Sequence, residues 1–303
     1  MNKVIVIAGP TASGKTGLGI EVAGAIGGEI ISADSMQVYK NMPIATAAPT
    51  DDEKSQAPHH LVEFLDNDKK FSVAQWCTLA KEKIDDIISR GKVPIVVGGT
   101  GLFIDSLVDN ISFEDVEVDE DLRQSLMKRD VDSLYDELLR VEKKAAENIH
   151  KNNKKRVVRA LELHYLGSSK TEQNENSQKE KSPYDFLYFV LQYENRQTLY
   201  DRINLRVDKM LENGLLDEAR AMQGKCQKTC AQAIGHKELA RYLNGEASLE
   251  ECAQKLKQES RRYAKRQITW FKRRQGAVFI SMDKLKGSAV KTVIDKCEDF
   301  LNG

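Results

Sequence analysis

Residues 9–16, GPTASGKT, set two glycines, a lysine and a threonine at the spacing G-x-x-x-x-G-K-[ST], after an apolar run and before a helical pattern. Such a loop turns its backbone N–H groups inward around an anion, and the helix N-terminus that follows adds partial positive charge. Lys15 would neutralise phosphate oxygens and the Thr16 hydroxyl would ligate Mg²⁺. The pattern specifies a diphosphate or triphosphate and leaves open whether a nucleotide carries it. Asp34-Ser35-Met36-Gln37 ends a second apolar run, where a carboxylate is a general base, a partner of magnesium-bound water or a helix N-cap, with the cap favoured by pattern alone. Gly98-Gly99-Thr100-Gly101 ends a third run; a structural turn and a ligand loop are equally open there. Arg202 and Arg206 lie four apart on a predicted helix and hence on one face. They suit an anionic leaving group, although a solvated helix face is the plainer reading.

The elements that must position these residues follow from the hydrophobic pattern. Apolar strands are predicted at Lys3–Ala8, Glu29–Ser32 and Val93–Val97, each ending in one of the polar or glycine-rich turns. Helical spacing covers 17–26 and 72–90. Strands alternating with helices imply an α/β fold with a parallel sheet, and in such sheets ligands sit at the carboxyl ends of the strands. The three turns are therefore expected to converge on one site. From about 120 the pattern becomes helical, at 122–129, 133–143 and 157–166. SSKTEQNENSQKEKS (168–182) reads as a mobile polar loop. A strand at Phe186–Val190 and helices at 196–213, 215–223, 235–243 and 248–274 follow, with a final strand at Val278–Ser281. The expected organisation is a P-loop core from residues 1–119 and 186–303, flanked by helices, with a mostly helical insertion at 120–185.

The 303 residues carry 46 Lys+Arg and 46 Asp+Glu, yet the charge is segregated. Residues 112–121 hold six acids and no base, residues 150–160 five bases and no acid, and residues 255–274 nine bases against Glu259 alone. The two basic stretches suit a polyanionic partner. Trp270 and Phe271, within the second, would stack on bases or, as the plainer reading, anchor an amphipathic helix in the core. No apolar run reaches the roughly 20 residues of a membrane span. Val4–Ala8 is too short for a signal-peptide core, and five scattered cysteines suit a reducing compartment, so a cytoplasmic protein is expected. His59 and His60 are adjacent, poor spacing for joint metal ligation, and are read as packing or substrate-gate residues. Cys226 and Cys230 lack a second pair that would complete a zinc site.

In order, GPTASGKT (9–16), DSMQVY (34–39), PHHL (58–61), FSVAQW (71–76), PIVVGGTGLF (94–103), KRVVRALEL (155–163), LYDRINLRVDKMLENGL (199–215), QAIGHKEL (232–239) and RRYAKRQITWFKRR (261–274) resemble the bacterial tRNA dimethylallyltransferase family, from residue 3 to about 282. The resemblance implies transfer of a dimethylallyl group from dimethylallyl diphosphate to N6 of the adenine 3′-adjacent to the anticodon, with Mg²⁺ as cofactor and a monomeric enzyme. Gly9, Pro10, Thr11, Ala12, Ser13, Gly14, Lys15 and Thr16 would then hold the donor's diphosphate. Lys15, Thr16 and Arg206 would stabilise the leaving group, and Asp34 would take the proton from the exocyclic amine. The family's tRNA-contacting positions correspond to Asp34, Ser35, Met36, Gln37, Thr100, Arg123, Asn153, Lys154, Lys155, Arg156, Val157, Gln232, Gly235, His236 and Lys237. Arg159 joins them as part of the same basic stretch, on an insertion that would grip the anticodon stem-loop.

Three departures from the family pattern bear on RNA contact. GTAKPT reads Ala45-Thr46-Ala47-Ala48-Pro49-Thr50; an acid before the 155–163 motif is replaced by Asn153; and a commonly aromatic position is His236. None touches Lys15, Thr16, Asp34 or Arg206. The competing readings are a P-loop small-molecule kinase, prenylation of free adenine nucleotides and a non-catalytic RNA-binding NTPase. The first leaves the basic stretches and the insertion without a purpose, the second the basic insertion, and the third Asp34 and Arg206.

Overall fold

The computed structural model describes residues 2–113, 119–169, 181–226, 229–285 and 287–303. Most of the expected polar loop and part of the acidic run thus lie outside the described residues. Six strands, β1 (Asn2–Ala8), β2 (Gly28–Ala33), β3 (His59–His60), β4 (Val93–Gly98), β5 (Tyr184–Gln192) and β6 (Val278–Ser281), form one parallel sheet in the order β3-β2-β4-β1-β5-β6. Their near-continuous Val/Ile runs are what a sheet covered on both faces requires. Ile5, Ile7, Ile30, Ile95 and Val97 share one core with helices Lys15–Ile26 and Ala289–Asn302. Val4, Val6, Ile31 and Val96 share another with helices Val73–Ser89 and Gly101–Val108. Ser72 and Gln75 start the 73–89 helix with a reciprocal capping box.

Chain connections leave β1 and β4 toward opposite edges of the sheet, which opens a crevice above their carboxyl ends. The expected strands form with boundaries shifted by a residue or two. The helix expected to start at Gly17 begins at Lys15, because Gly14 takes a φ of 94° and turns the chain directly into it. Strand β3 was too short for any alternation to signal it. Helices Pro43–Thr46, Asp51–Gln56 and Gly101–Val108 follow proline or glycine signals that read as turns.

The chain separates into two compact units, Met1–Val108 with Pro183–Gly303, and Asp109–Ser182. The second therefore begins earlier than the predicted 120. Its helices Glu120–Lys128, Val131–Val141, Lys143–Glu147 and Lys154–Tyr165 enclose a core of Leu126, Leu134, Leu138, Ala146, Val157, Val158 and Leu161. Cys226 and Cys230 are joined as a disulfide with Cα atoms 5.2 Å apart, while Cys77, Cys252 and Cys297 are free and buried. No described helix is long and apolar enough to cross a membrane.

Candidate active site

The loops after β1, β2 and β4 open onto one cavity of about 290 Å³. Thr11, Lys15 and Thr16 contribute from the first loop and its helix, Asp34 to Gln37 from the second, and Gly98 and Gly99 from the third. The convergence expected from the sequence is thus observed. Arg206 reaches the same cavity from helix Arg196–Glu212. Arg202, on the same face one turn earlier, does not line it. Its Nε donates to the Ala12 carbonyl (2.9 Å) and its guanidinium lies over the Tyr193 ring, so it braces the loop.

Lys15, Arg206 and Asp34 meet in this cavity. Lys15 Nζ donates to the Pro10 carbonyl (2.7 Å). Burial, reinforced by the Arg206 guanidinium and opposed by Asp34, brings the Lys15 ammonium down to about 7. Burial likewise lowers Arg206, with Asp34 opposing. Asp34 Oδ1 accepts from the backbone N–H of Met36 (2.9 Å) and, more weakly, of Gln37 (3.4 Å). No helix starts here, so in place of the expected helix N-cap one oxygen closes a turn over residues 35–38. Among the described residues Oδ2 accepts no hydrogen bond, and the carboxylate faces two cations. The turn contact fixes the carboxylate through Oδ1 and leaves Oδ2 without a hydrogen-bond donor among the described residues.

Gln37 is a brace. Its amide nitrogen donates to the Ala47 carbonyl (2.9 Å) and its oxygen accepts from Ser32 Oγ (2.8 Å), which ties β2 to the 43–50 segment. Thr100 stands behind the cavity wall, where its Oγ1 accepts from Ser35 N (3.0 Å). Gln232 lines the cavity with Ala233 and Ile234, and Lys237 is exposed. His236 is buried instead: its Nε2 lies 2.8 Å from Glu218 Oε1, and Glu218 also accepts from Ile44 N and Ala45 N. Two of the three departures from the family pattern, Ala45 and His236, thus share one carboxylate. His59 lines the cavity, with Nδ1 2.8 Å from the Ala57 carbonyl, and burial lowers its pKa. His60 packs at the sheet edge against Glu29 (2.7 Å).

In the unit Asp109–Ser182, Asn153 caps the 154–165 helix, accepting from Arg156 N (3.4 Å). Lys155 and Arg156 are exposed, and Lys154 donates to the Arg129 carbonyl. Arg123 and Arg159 converge on Glu162, which is 1% exposed, at 2.6 and 3.4 Å. Val157 is fully buried in the unit's core, so its side chain offers no surface to RNA.

Helix Leu249–Phe271 supplies what the sequence reading missed. Tyr263, Arg266 and Gln267 line the cavity, at the i, i+3, i+4 spacing of one helical face. That spacing was present in the basic stretch but was masked by the charges around it. Trp270 Nε1 donates to Asp105 Oδ2 (2.6 Å) and Phe271 is buried, so both anchor the helix as the plainer reading expected. The glycine loop now has a reason. A Cβ on Gly98 would meet the Ala33 carbonyl at 2.1 Å, one on Gly99 the Gln267 amide at 2.3 Å, and one on Gly101 the Trp270 ring at 2.3 Å. The loop is a socket for this helix as much as a cavity wall.

Among the described residues no group of three His, Cys, Asp or Glu could hold a metal ion alone. The oxygens of Thr16 and Asp34 are the donors a hard divalent cation takes, and such a cation would draw its remaining ligands from phosphate and water.

Comparison with known proteins gives the following. A family model described as IPP transferase matches residues 37–274, and one described as isopentenyl transferase matches residues 2–70. A tRNA dimethylallyltransferase of Acetivibrio thermocellus is 46% identical over 292 residues, covering 94% of this chain and 93% of the relative. Another, from Halalkalibacterium halodurans, is 44% identical, with 92% and 91% covered. The crystal structure of a full-length tRNA isopentenylpyrophosphate transferase from Bacillus halodurans superimposes with a TM-score of 0.75 at 40% identity, covering 100% of this chain and 97% of its own. A eukaryotic dimethylallyltransferase acting on tRNA superimposes at 0.84 and 31% identity, with 100% and 80% covered.

Proposed function

Because the chain belongs to the IPP transferase family of tRNA dimethylallyltransferases, we propose that it transfers a dimethylallyl group from dimethylallyl diphosphate to N6 of the adenine 3′-adjacent to the anticodon. The single supporting observation is that one cavity joins a phosphate loop, two cationic side chains and a carboxylate with an oxygen to spare. A small-molecule kinase would use the same loop, cations and carboxylate but would leave the basic stretches and the 109–182 unit without a purpose, whereas alkyl transfer to tRNA uses all of them.

The chemistry divides between the two ends of the cavity. As the donor's allylic carbon–oxygen bond breaks, negative charge gathers on diphosphate, where Lys15, Arg206 and the loop N–H groups stabilise it. Thr16 would hold a Mg²⁺ ion, whose charge adds to that neutralisation when bound. The adenine amine is a weak nucleophile because its lone pair is delocalised into the ring. Asp34 accepts its proton while the new carbon–nitrogen bond forms, so the products are N6-dimethylallyladenine, diphosphate and a protonated carboxyl group. The adenine leaves its stack to reach the cavity. Lys155 and Arg156, with Arg123 and Arg159 held by Glu162, would grip the anticodon stem-loop through its phosphates.

Incubation with unmodified tRNA, labelled dimethylallyl diphosphate and Mg²⁺ tests the reading, with AMP as a parallel acceptor and ATP as a parallel donor. Label that digests to N6-dimethylallyladenosine is expected, and Asp34→Asn should lose most turnover while retaining tRNA affinity. Label in AMP alone, phosphate transfer from ATP, or full turnover by Asp34→Asn would overturn it.

A further inference from the structure

We propose that Gln267 is a positioning residue for this transfer, setting the diphosphate loop against the loop that carries the proton acceptor. The inference rests on the reading above for its reaction and on geometry for its residue. Gln267 is 5% exposed, and both ends of its amide are used across long sequence distances. Its Oε1 accepts from Thr11 N (2.8 Å), and its Nε2 donates to the Gly99 carbonyl (2.9 Å). One amide therefore bridges the loop after β1 to the loop after β4.

The bridge continues toward the proton acceptor. One turn earlier on the same helical face, Tyr263 lines the cavity with its hydroxyl near the Thr100 and Gln267 side chains. Thr100 Oγ1 in turn accepts from Ser35 N (3.0 Å), the residue beside Asp34. On its other flank the diphosphate loop is held by Arg202 at the Ala12 carbonyl (2.9 Å), and Ala12 has a φ of 61° that a non-glycine residue adopts only under constraint. Residues 11 and 12 are thus clamped from both sides, Thr11 by a neutral amide and Ala12 by a guanidinium. A neutral amide suits this place because it accepts from the Thr11 N–H and donates to the Gly99 carbonyl at once, which neither a cation nor a carboxylate can do. Donor and acceptor must approach within about 3–3.5 Å, and a displacement of about 1 Å costs on the order of 10²-fold in rate. Without Gln267 the Thr11 N–H and Gly99 C=O lose their shared partner, and the relative placement of the two loops is no longer fixed.

The test separates positioning from stability with Gln267→Ala and Gln267→Glu. Three properties are measured on each: inorganic pyrophosphate affinity by calorimetry, kcat and KM for the donor, and tRNA affinity with the thermal midpoint. For Gln267→Ala, pyrophosphate affinity should fall about 10-fold and kcat by about 10–100-fold, with tRNA affinity within about twofold of wild type. Gln267→Glu keeps an acceptor for Thr11 but loses the donor to Gly99. Its kcat as a fraction of wild type at the same pH should be higher at about pH 6 than at about pH 8, because a protonated carboxyl restores both hydrogen bonds. Wild-type pyrophosphate affinity and kcat in Gln267→Ala overturn the inference. So does a uniform loss in pyrophosphate binding, tRNA binding and midpoint. If Gln267→Ala does not fold, the pH response of Gln267→Glu decides alone. A wild-type protein that binds pyrophosphate but modifies no tRNA would refute the proposed reaction, while the pyrophosphate comparison would still judge the clamp.

Discussion

Raising the pH should release the donor. Burial and the adjacent Arg206 bring the Lys15 ammonium to about 7, against 10.5 for a free lysine. With the cavity empty, Lys15 is therefore about half neutral at pH 7. A bound diphosphate supplies two or three negative charges beside it and restores the ammonium, so binding takes up a proton. The apparent dissociation constant then scales as 1 + 10^(pH − 7), which grows about 25-fold from about pH 6.5 to about pH 8.5, or about 1.9 kcal/mol. The sign is fixed by the direction of the shift: affinity is full below about 7 and falls as pH rises through it. At about pH 8 each donor bound should take up about 0.9 proton. Arg206 stays charged throughout, and Tyr263, whose pKa burial raises, stays neutral, so neither supplies this slope. Calorimetric titration of the donor in two buffers of different ionisation enthalpy measures both affinity and proton count. Lys15→Arg provides the control, because a guanidinium does not titrate in this range and its pH slope should vanish even if its affinity is poorer. A dissociation constant that is flat across the range, or a slope retained in Lys15→Arg, would refute the assignment.

Gly101→Ala should destabilise by about 1–3 kcal/mol and lower turnover, because the added Cβ would sit 2.3 Å from the Trp270 ring that seats the cavity-lining helix. Gly24→Ala, where a Cβ meets nothing within 4 Å inside a helix, should be neutral or stabilising by about 0.5–1 kcal/mol in the same denaturation assay. Arg90→Ala removes the guanidinium that holds buried Glu29 through both Oε atoms, and should destabilise the fold at neutral pH in the same denaturation assay. Since Arg90, with His60 assisting, depresses Glu29 from 4.5 to about 2, that stabilisation is present above about 4.5 and lost as pH falls through about 2. The gap between wild type and variant should close over that window in acid denaturation. Replacing Lys155, Arg156 and Arg159 together by Ala should weaken tRNA binding and flatten the log–log salt slope by about 2, measured by filter binding across a salt series. An unchanged slope would place the RNA contacts elsewhere.

Much of the site was legible in the sequence because its components are local. The spacing of Gly9, Gly14, Lys15 and Thr16 dictates a phosphate loop within eight consecutive residues, and the apolar runs that end at Ala8, Ser32 and Val97 dictate parallel strands whose ends must converge. Asp34 was visible as a carboxylate at a strand end, and only its role was open. The tertiary structure decided its surroundings. It showed one oxygen spent on the turn at Met36 and the other left over, with Lys15 and Arg206 close enough to perturb both cations. It also separated Arg206 from Arg202, which one helical face had made equivalent: a carbonyl of the phosphate loop captures the second. Val157 and His236 moved from expected contacts to buried positions, because solvent exposure depends on what packs over a residue and leaves no local mark. Gln267 was beyond the sequence for the same reason. Its partners lie 256 and 168 positions away in the chain, and only folding brings Thr11, Gly99 and Gln267 within one amide's reach.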